Sequence, residues 1–550
     1  MVPFIACLPP EILDRIFSFI YINAEYGSAA SSGTCDRLGW LSIAHVCRQW
    51  REIALNQPRF WSHIDFTALT LAGATEMLAR VKEAPLHLEA DLTNRNFRWK
   101  HTRFDAFRTQ VEAHVSHIRS LSIIADPLDL LRTLQRLMSP APALESLSLS
   151  SRDKLGKNVG IFSRIPPALF DHKVPRLIRL ELDHCNISWS SSLLKGLRHL
   201  KLLYLTEGDR PSLQSWLDAM NELSQLESLI IHSATPIAPQ SITTDFEPVR
   251  VVTLPSLTQL HISALANDCA LALAHLVLPA LTWLRVEVRS SHRGGGDVRT
   301  VLPHFARNAY GPQDKTPLQS MVISGYATRT DILLWTVPDA DVEYRDNDSF
   351  TRATFSARAA FTASNPLWDF MTEATVYDAA MAALPTSSLT TLTVLDFTVV
   401  TRRLWLRYTP RWPLLQRVRL GCTVIRPFID ALTEDAPSQG PLLPSLVKLV
   451  TTGSPLTMDT ALRLRDMLLA RVERGVPIQT LDLCECAVLD DAMRLFRDLA
   501  ADTRGPTRTG LPKRRVVWPA PLVEWEADTR QADWSDEDDD DAQSHGTSII

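Results

Sequence analysis

One short pattern, apolar-x-x-apolar-x-apolar, keeps returning along this chain and restricts what it folds into. It stands at residues 118–123 (IRSLSI), 144–149 (LESLSL), 177–182 (LIRLEL), 226–231 (LESLII), 257–262 (LTQLHI), 281–286 (LTWLRV), 415–420 (LQRVRL) and 478–483 (IQTLDL). Less regular copies lie at 85–90, 200–205, 318–323, 389–394 and 446–451. In each, the last two apolar positions alternate with polar ones, as a strand with one buried face requires. The central apolar residues fall at 121, 147, 180, 203, 229, 260 and 284, at intervals of 26, 33, 23, 26, 31 and 24. Irregular spacing of this size is that of a divergent solenoid, whose units bury their apolar faces only by stacking on one another. Two copies continue to a cysteine in a buried turn position, Cys185 and Cys486. The spacing predicts an α/β chain with parallel strands on a concave face and helices or irregular crossovers outside. A non-repeat α/β domain with leucine-rich strands is the competing reading.

Ahead of the repeats the period changes. Residues 8–20 read LPPEILDRIFSFI. Pro9 and Pro10 suit the first turn of a helix, where a missing N–H costs nothing. Ile12, Leu13, Ile16, Phe17 and Ile20 then share one face, and Glu11, Asp14, Arg15 and Ser18 take the other. After a Gly/Ser-rich stretch at 21–37, read as a loop, the helical period returns. Ile43, Val46, Cys47, Trp50, Ile53 and Ala54 form a second stripe, which Pro58 stops. About sixty residues bury such stripes poorly on their own, so one face wants a partner.

These residues resemble the F-box. The resemblance rests on Leu-Pro-Pro-Glu-Ile-Leu at 8–13, Val46-Cys47-Arg48-x-x-Arg51 around Trp50, and Pro58-x-x-Trp61. More narrowly, the segment is similar to the F-boxes of the many F-box/leucine-rich-repeat proteins of mushroom-forming fungi. The resemblance implies docking on a Skp-type adaptor and, through it, a cullin, as in an SCF-type ubiquitin ligase. Carried over position by position, it makes Leu8, Pro9, Ile12, Leu13, Ile16, Phe17, Val46, Cys47 and Trp50 the adaptor-facing residues. Trp61 would staple this segment to the first repeat.

The 550 residues exceed one compact core. The expected division is an F-box at 1–66, a leucine-rich-repeat-like solenoid at 67–500, and a largely disordered tail at 501–550. The solenoid rhythm breaks at about 324–388, read as a degraded repeat with an insertion or a projecting loop. The tail holds the acidic run 533–541, whose like charges stay solvated. A net charge of −5 gives no sign of a nucleic-acid partner. The longest apolar run, residues 269–281, is 13 residues and too short for a bilayer. The eight cysteines form no CxxC pair, and the N-terminus has no basic leader. A reducing compartment, cytoplasmic and/or nuclear, is expected.

No arrangement of residues announces catalysis, and no cofactor is expected. There is no phosphate-binding glycine loop and no nucleophile elbow. Residues 294–296 (GGG) lack a following helix with the right glycine spacing and read as a loop. His114 and His117 share a helical face without further ligands at metal spacing. The informative positions are those between the buried leucines, which a concave sheet would present: Arg179, Glu181, Tyr204, His232, His261, Trp283, Arg285, Arg417 and Arg419. Aromatics and arginines are the types that anchor interfaces. The expectation is therefore a non-catalytic receptor, with the F-box holding an adaptor and the solenoid holding an unknown protein substrate. A non-degradative scaffold with the same two surfaces is the alternative.

Overall fold

The structure, a computed structural model, describes residues 8–27, 36–93, 100–152, 163–239, 247–289, 297–310, 317–326, 329–338, 357–364, 370–395, 400–433, 440–452, 456–485, 495, 513–517 and 524–528. Its compact units are residues 1–314 with 358–366, and residues 315–357 with 367–550.

The first unit opens with α1 (Pro10–Gly27), a 3-10 segment (Asp36–His45) and α2 (Arg48–Asn56). Helix α1 runs through residues 21–27, which the sequence reads as the start of a loop. No proline or glycine interrupts it before Gly27, the residue type that ends helices at least cost. The second stripe is not one helix. Its chain breaks at Val46, and Cys47 sits extended (φ −157°) as the N-cap of α2, its sulfur accepting from the Trp50 N–H at 3.5 Å.

From His63 onward, strands and crossovers alternate. The main-sheet strands are β1 (His63–Asp65), β2 (Leu86–Asp91), β3 (Ile118–Ala125), β4 (Ser146–Ser151), β5 (Arg179–Asp183), β6 (His199–Leu203), β7 (Ser228–His232), β8 (Gln259–Ala264) and β9 (Trp283–Arg289). Each pairs in parallel with the next. Among the helical crossovers are α3 (Leu71–Val81), α4 (Lys100–His114), α5 (Pro127–Leu134), α6 (Leu213–Glu222), α7 (Ala266–Ala274) and α8 (Leu302–Ala309). Thr70, Asp126 and Ser212 cap α3, α5 and α6 through side-chain oxygens, the local signal that starts each crossover helix.

Register explains the core. Leu88, Leu121, Leu147, Leu180, Leu200, Leu229, Leu260 and Leu284 stand in one row across the sheet, and all are essentially fully buried. Burying a leucine contributes about 1.5–3 kcal/mol, and a ladder slipped by one residue would forfeit the whole row. The row corrects one reading. The copy placed at 200–205 belongs at 197–202, because Leu200 and Leu202 pair with Leu180 and Leu182. Sequence alone misleads here because Leu200, Leu202, Leu203 and Leu205 fit two frames.

The second unit holds β10 (Ser320–Tyr326) and β11 (Arg329–Trp335), an antiparallel hairpin. Between its segments the chain returns to the first unit with β12 (Ala359–Ser364), parallel to β9. The second unit then continues through α9 (Phe370–Ala383), β13 (Thr391–Leu395), α10 (Arg402–Tyr408), β14 (Arg417–Gly421), α11 (Cys422–Thr433), β15 (Lys448–Thr452), α12 (Met458–Glu473) and β16 (Thr480–Glu485). Parallel pairing links β10, β13, β14, β15 and β16 in that order. The stretch 324–388 is thus not simply a loop: its described part carries a hairpin, a strand and a helix. The run at 339–350, Gly294–Gly296 and Cys486 lie outside the described residues, as does the acidic run 533–541. In each unit a largely parallel sheet alternates with helical crossovers, a leucine-rich-repeat-like α/β fold, and in the first unit the helical N-terminal segment precedes it.

Candidate functional site: a helical docking strip and a row of rings

The N-terminal helices divide their apolar residues between a private core and a surface. Leu13 and Phe17 are fully buried, and the Phe17 ring meets Trp50 with centroids 4.8 Å apart. Ala54 and Ile43 complete that core. Ile12, in contrast, is 44% exposed, Phe19 65% and Val46 59%. Ile12 and Phe19 are seven residues apart and share a helical face, with Ile16 partly covered between them. Cys47 and Pro9 are exposed, and Leu8 and Trp50 are partly covered. Phe19 is absent from the sequence-based set, although its spacing from Ile12 was the available signal.

A staple joins these helices to the first repeat. The Trp61 indole N–H donates to the Ala54 carbonyl at 3.0 Å, and the Arg80 guanidinium from α3 lies 4.8 Å from the ring centroid. Arg59 pairs with Asp14 of α1, and Phe60 is buried beside it.

The second surface lies on the sheet face opposite the buried leucines. His184, Tyr204, His232, His261 and Trp283 form a continuous row. His184 stacks on Tyr204 (4.8 Å), Tyr204 meets His232 edge to face (6.3 Å), His232 meets His261 (4.4 Å), and His261 meets Trp283 (6.1 Å). Two different devices place these rings. His232, His261 and Trp283 alternate with buried residues on their strands, as the period of 2 dictates. His184 and Tyr204 instead follow the ends of β5 and β6 in the left-handed region (φ 53° and 54°), as does Ser233 after β7 (φ 49°). Such a conformation costs a non-glycine residue about 1–2 kcal/mol. It is offset locally, because each of these N–H groups donates to the following strand: His184 to Leu203 O, Tyr204 to His232 O, and Ser233 to Ser263 O, at 2.7–2.9 Å.

Polar groups fix the row at both ends. At one end Asp183 contacts the His184 Nδ1 at 2.7 Å and accepts from Ser150 at 2.9 Å and Arg152 at 3.3 Å. Burial raises the Asp183 pKa, but these donors outweigh it and hold the carboxyl below its usual range. At the other end Arg285 donates to Glu287 at 2.8 Å, and the His261 Nε2 lies 3.4 Å from the same carboxylate. Burial is again opposed and outweighed, here by His261 and Arg285, and Glu287 is brought to about 2. The His232 Nε2 and His261 Nδ1 are 3.3 Å apart. Burial first, then the neighbouring His261, lowers His232 to about 4, so this ring is neutral at physiological pH.

Of the other sequence-based positions, Arg179 and Glu181 both lie on β5, the strand before the one that Tyr204 follows, with guanidinium and carboxylate 3.7 Å apart. Arg417 and Arg419 fall on β14 of the second unit, so they are not part of the row. His184, Asp183, Glu287 and Arg289 were missed: His184 follows from the left-handed turn after β5, Asp183 extends β5 beyond the motif, and Glu287 and Arg289 extend β9 beyond it. His114 and His117 meet edge to face at 5.0 Å. Among the described residues, no group of three or more His, Cys, Asp or Glu is placed to hold a metal ion. No described helix is long and apolar enough to cross a membrane.

Residues 5–67 match the F-box-like family model. The chain opens with an F-box-like domain. The match ends just past β1, so the rest of the sheet is outside it. No curated protein sequence matches the chain. A solved structure, described as the crystal structure of the Rad7 and Elc1 complex in yeast, aligns over 79% of this chain and 92% of its own, at 11% identity and a TM-score of 0.23. At that score the likeness carries no conclusion.

Proposed function

We propose that this chain is the substrate-receptor subunit of an SCF-type ubiquitin ligase, of the kind found with leucine-rich repeats in mushroom-forming fungi. The observation that carries the reading is the F-box-like domain with an apolar strip left outside its own core. Ile12, Ile16, Phe19, Val46 and Cys47 supply the strip that a Skp-type adaptor covers, and Leu8, Pro9 and Trp50 border it. Leu13 and Phe17 act from beneath, holding α1 against α2. Cullin joins through the adaptor.

The repeats supply the other surface. A protein substrate bound there is held near a ubiquitin-charged conjugating enzyme, and its lysines react at raised effective concentration. In this reading the chain contributes binding and positioning, forms no covalent intermediate and works inside the cell. The test is co-purification of adaptor and cullin with the full-length chain and with an Ile12→Asp/Val46→Asp variant. Adaptor without cullin would favour the non-degradative scaffold. Undiminished adaptor on the double variant would contradict the docking assignment.

A further inference from the structure

The ring row has a length, a charge state and a preorganised shape, and together they describe an occupant. It crosses neighbouring strands from β5 to β9, a span of about 19 Å at the usual strand spacing. An extended peptide covers that distance with about six residues. The next strand, β12, puts Ala360 and Thr362 opposite Arg285 and Glu287, and the row of rings stops at Trp283.

The cations around the row are already committed. Arg152 holds Asp183 at 3.3 Å and Arg285 holds Glu287 at 2.8 Å. Lys201 and Arg179 flank Glu181 at 3.3 and 3.7 Å. Arg289 donates to the Ser233 hydroxyl and to the Ser263 carbonyl, and its guanidinium carbon lies 5.5 Å from the Tyr204 ring centroid. A phosphate or carboxylate laid along the row would have to displace these partners and would meet Asp183 and Glu287 at its two ends. A cation would find Tyr204 and Glu287 occupied by Arg289 and Arg285. The surface between those ends is half-buried aromatic and imidazole, with the rings from Tyr204 to Trp283 fixed edge to face, an arrangement in which further rings pack well.

We propose that this row recognises an extended, uncharged protein segment of about six residues through its aromatic side chains, without phosphate. This rests on the receptor reading and names the class of substrate segment. Tyr204 and Trp283 are the anchors, and the imidazoles of His232 and His261 lie between them as polar contacts for the segment.

The test pans a phage-displayed library of random short peptides against the full-length chain at neutral pH. Recovered sequences should be rich in Trp, Tyr and Phe and poor in Asp and Glu. A synthetic copy of a recovered peptide should bind Trp283→Ala and Tyr204→Asn at least about tenfold more weakly, the loss expected of an aromatic anchor. Asparagine is chosen at 204 because it tolerates the left-handed backbone; if that variant melts early, Trp283→Ala alone decides. Replacing a tyrosine of the peptide by phosphotyrosine should weaken binding. Enrichment of acidic peptides, tighter binding of the phosphorylated copy, no enrichment, or full binding by Trp283→Ala would each overturn the proposal. Adaptor binding, measured on the same preparations, reads the receptor assignment separately.

Discussion

Single residues carry opposite duties in the two surfaces. Trp61 is buried, hydrogen-bonded to the F-box side and capped by Arg80 from the repeat side. Trp61→Ala should cost about 3–5 kcal/mol, the usual penalty for truncating a buried aromatic. Hydrogen exchange would show it as lost protection in α2 and α3 together. Cysteines divide as sharply. Burial pushes Cys185 and Cys269 up to about 12, and both are fully enclosed. Cys47 is exposed on the docking strip. A maleimide should therefore label Cys47 in the native chain and leave Cys185 and Cys269 unmodified, and bound adaptor should protect Cys47. Mass spectrometry of the labelled peptides reads both outcomes. The ring row responds to acid. His232 is held neutral by the fold, so the unfolded chain binds its proton first and stability falls as pH drops from 6.5 toward about 4. Glu287 is held ionised, and its contribution is lost as pH falls from 4.5 toward about 2. Melting temperatures measured across pH 7 to 4 should fall, and His232→Gln should flatten part of that fall; His304, also held at about 4 by burial, keeps its share.

At the scale of elements, crossovers are tied to one another by buried charge. Arg210 donates to the Thr235 and Pro236 carbonyls and pairs with Asp268 of α7 at 2.6 Å, both side chains almost wholly enclosed. Asp268 also accepts from the Ala238 N–H. Asp268→Ala leaves a buried guanidinium unpaired, which costs about 3–5 kcal/mol. The expected readout is raised hydrogen exchange over residues 205–275 and a lower melting temperature. Most elements were legible in the sequence. Strands such as β3, β4, β5, β7, β8 and β9 follow directly from alternation of leucines with polar residues. Strand β11 was not, because Ile332 to Trp335 is buried on both faces and shows no alternation. Strand β12 was not, because its core is alanine and phenylalanine rather than leucine. The docking strip was half legible. Helical period puts Ile12, Leu13, Ile16 and Phe17 together, but only packing, with Phe17 against Trp50, separates the buried Leu13 and Phe17 from the exposed Ile12 and the partly covered Ile16. The break at Cys47, which pushes Val46 outward, depends on a sulfur acting as a cap, a role periodicity does not register.

For the whole molecule, the division of labour follows from where apolar surface is left uncovered. The repeats bury theirs by stacking, row upon row of leucine, and keep a polar, ring-bearing face. The N-terminal helices bury part of theirs internally and leave a strip exposed, the strip we propose an adaptor covers. The measurement that bears most directly on this account is the affinity of the purified full-length chain for a purified Skp-type adaptor, compared with that of Ile12→Asp/Val46→Asp, with melting curves of both. The account predicts a stable complex for the native chain and binding weaker by about 100-fold or more, near 2.8 kcal/mol, for the double variant at an unchanged melting temperature. No complex with the native chain, or equal affinity for the variant, would contradict it.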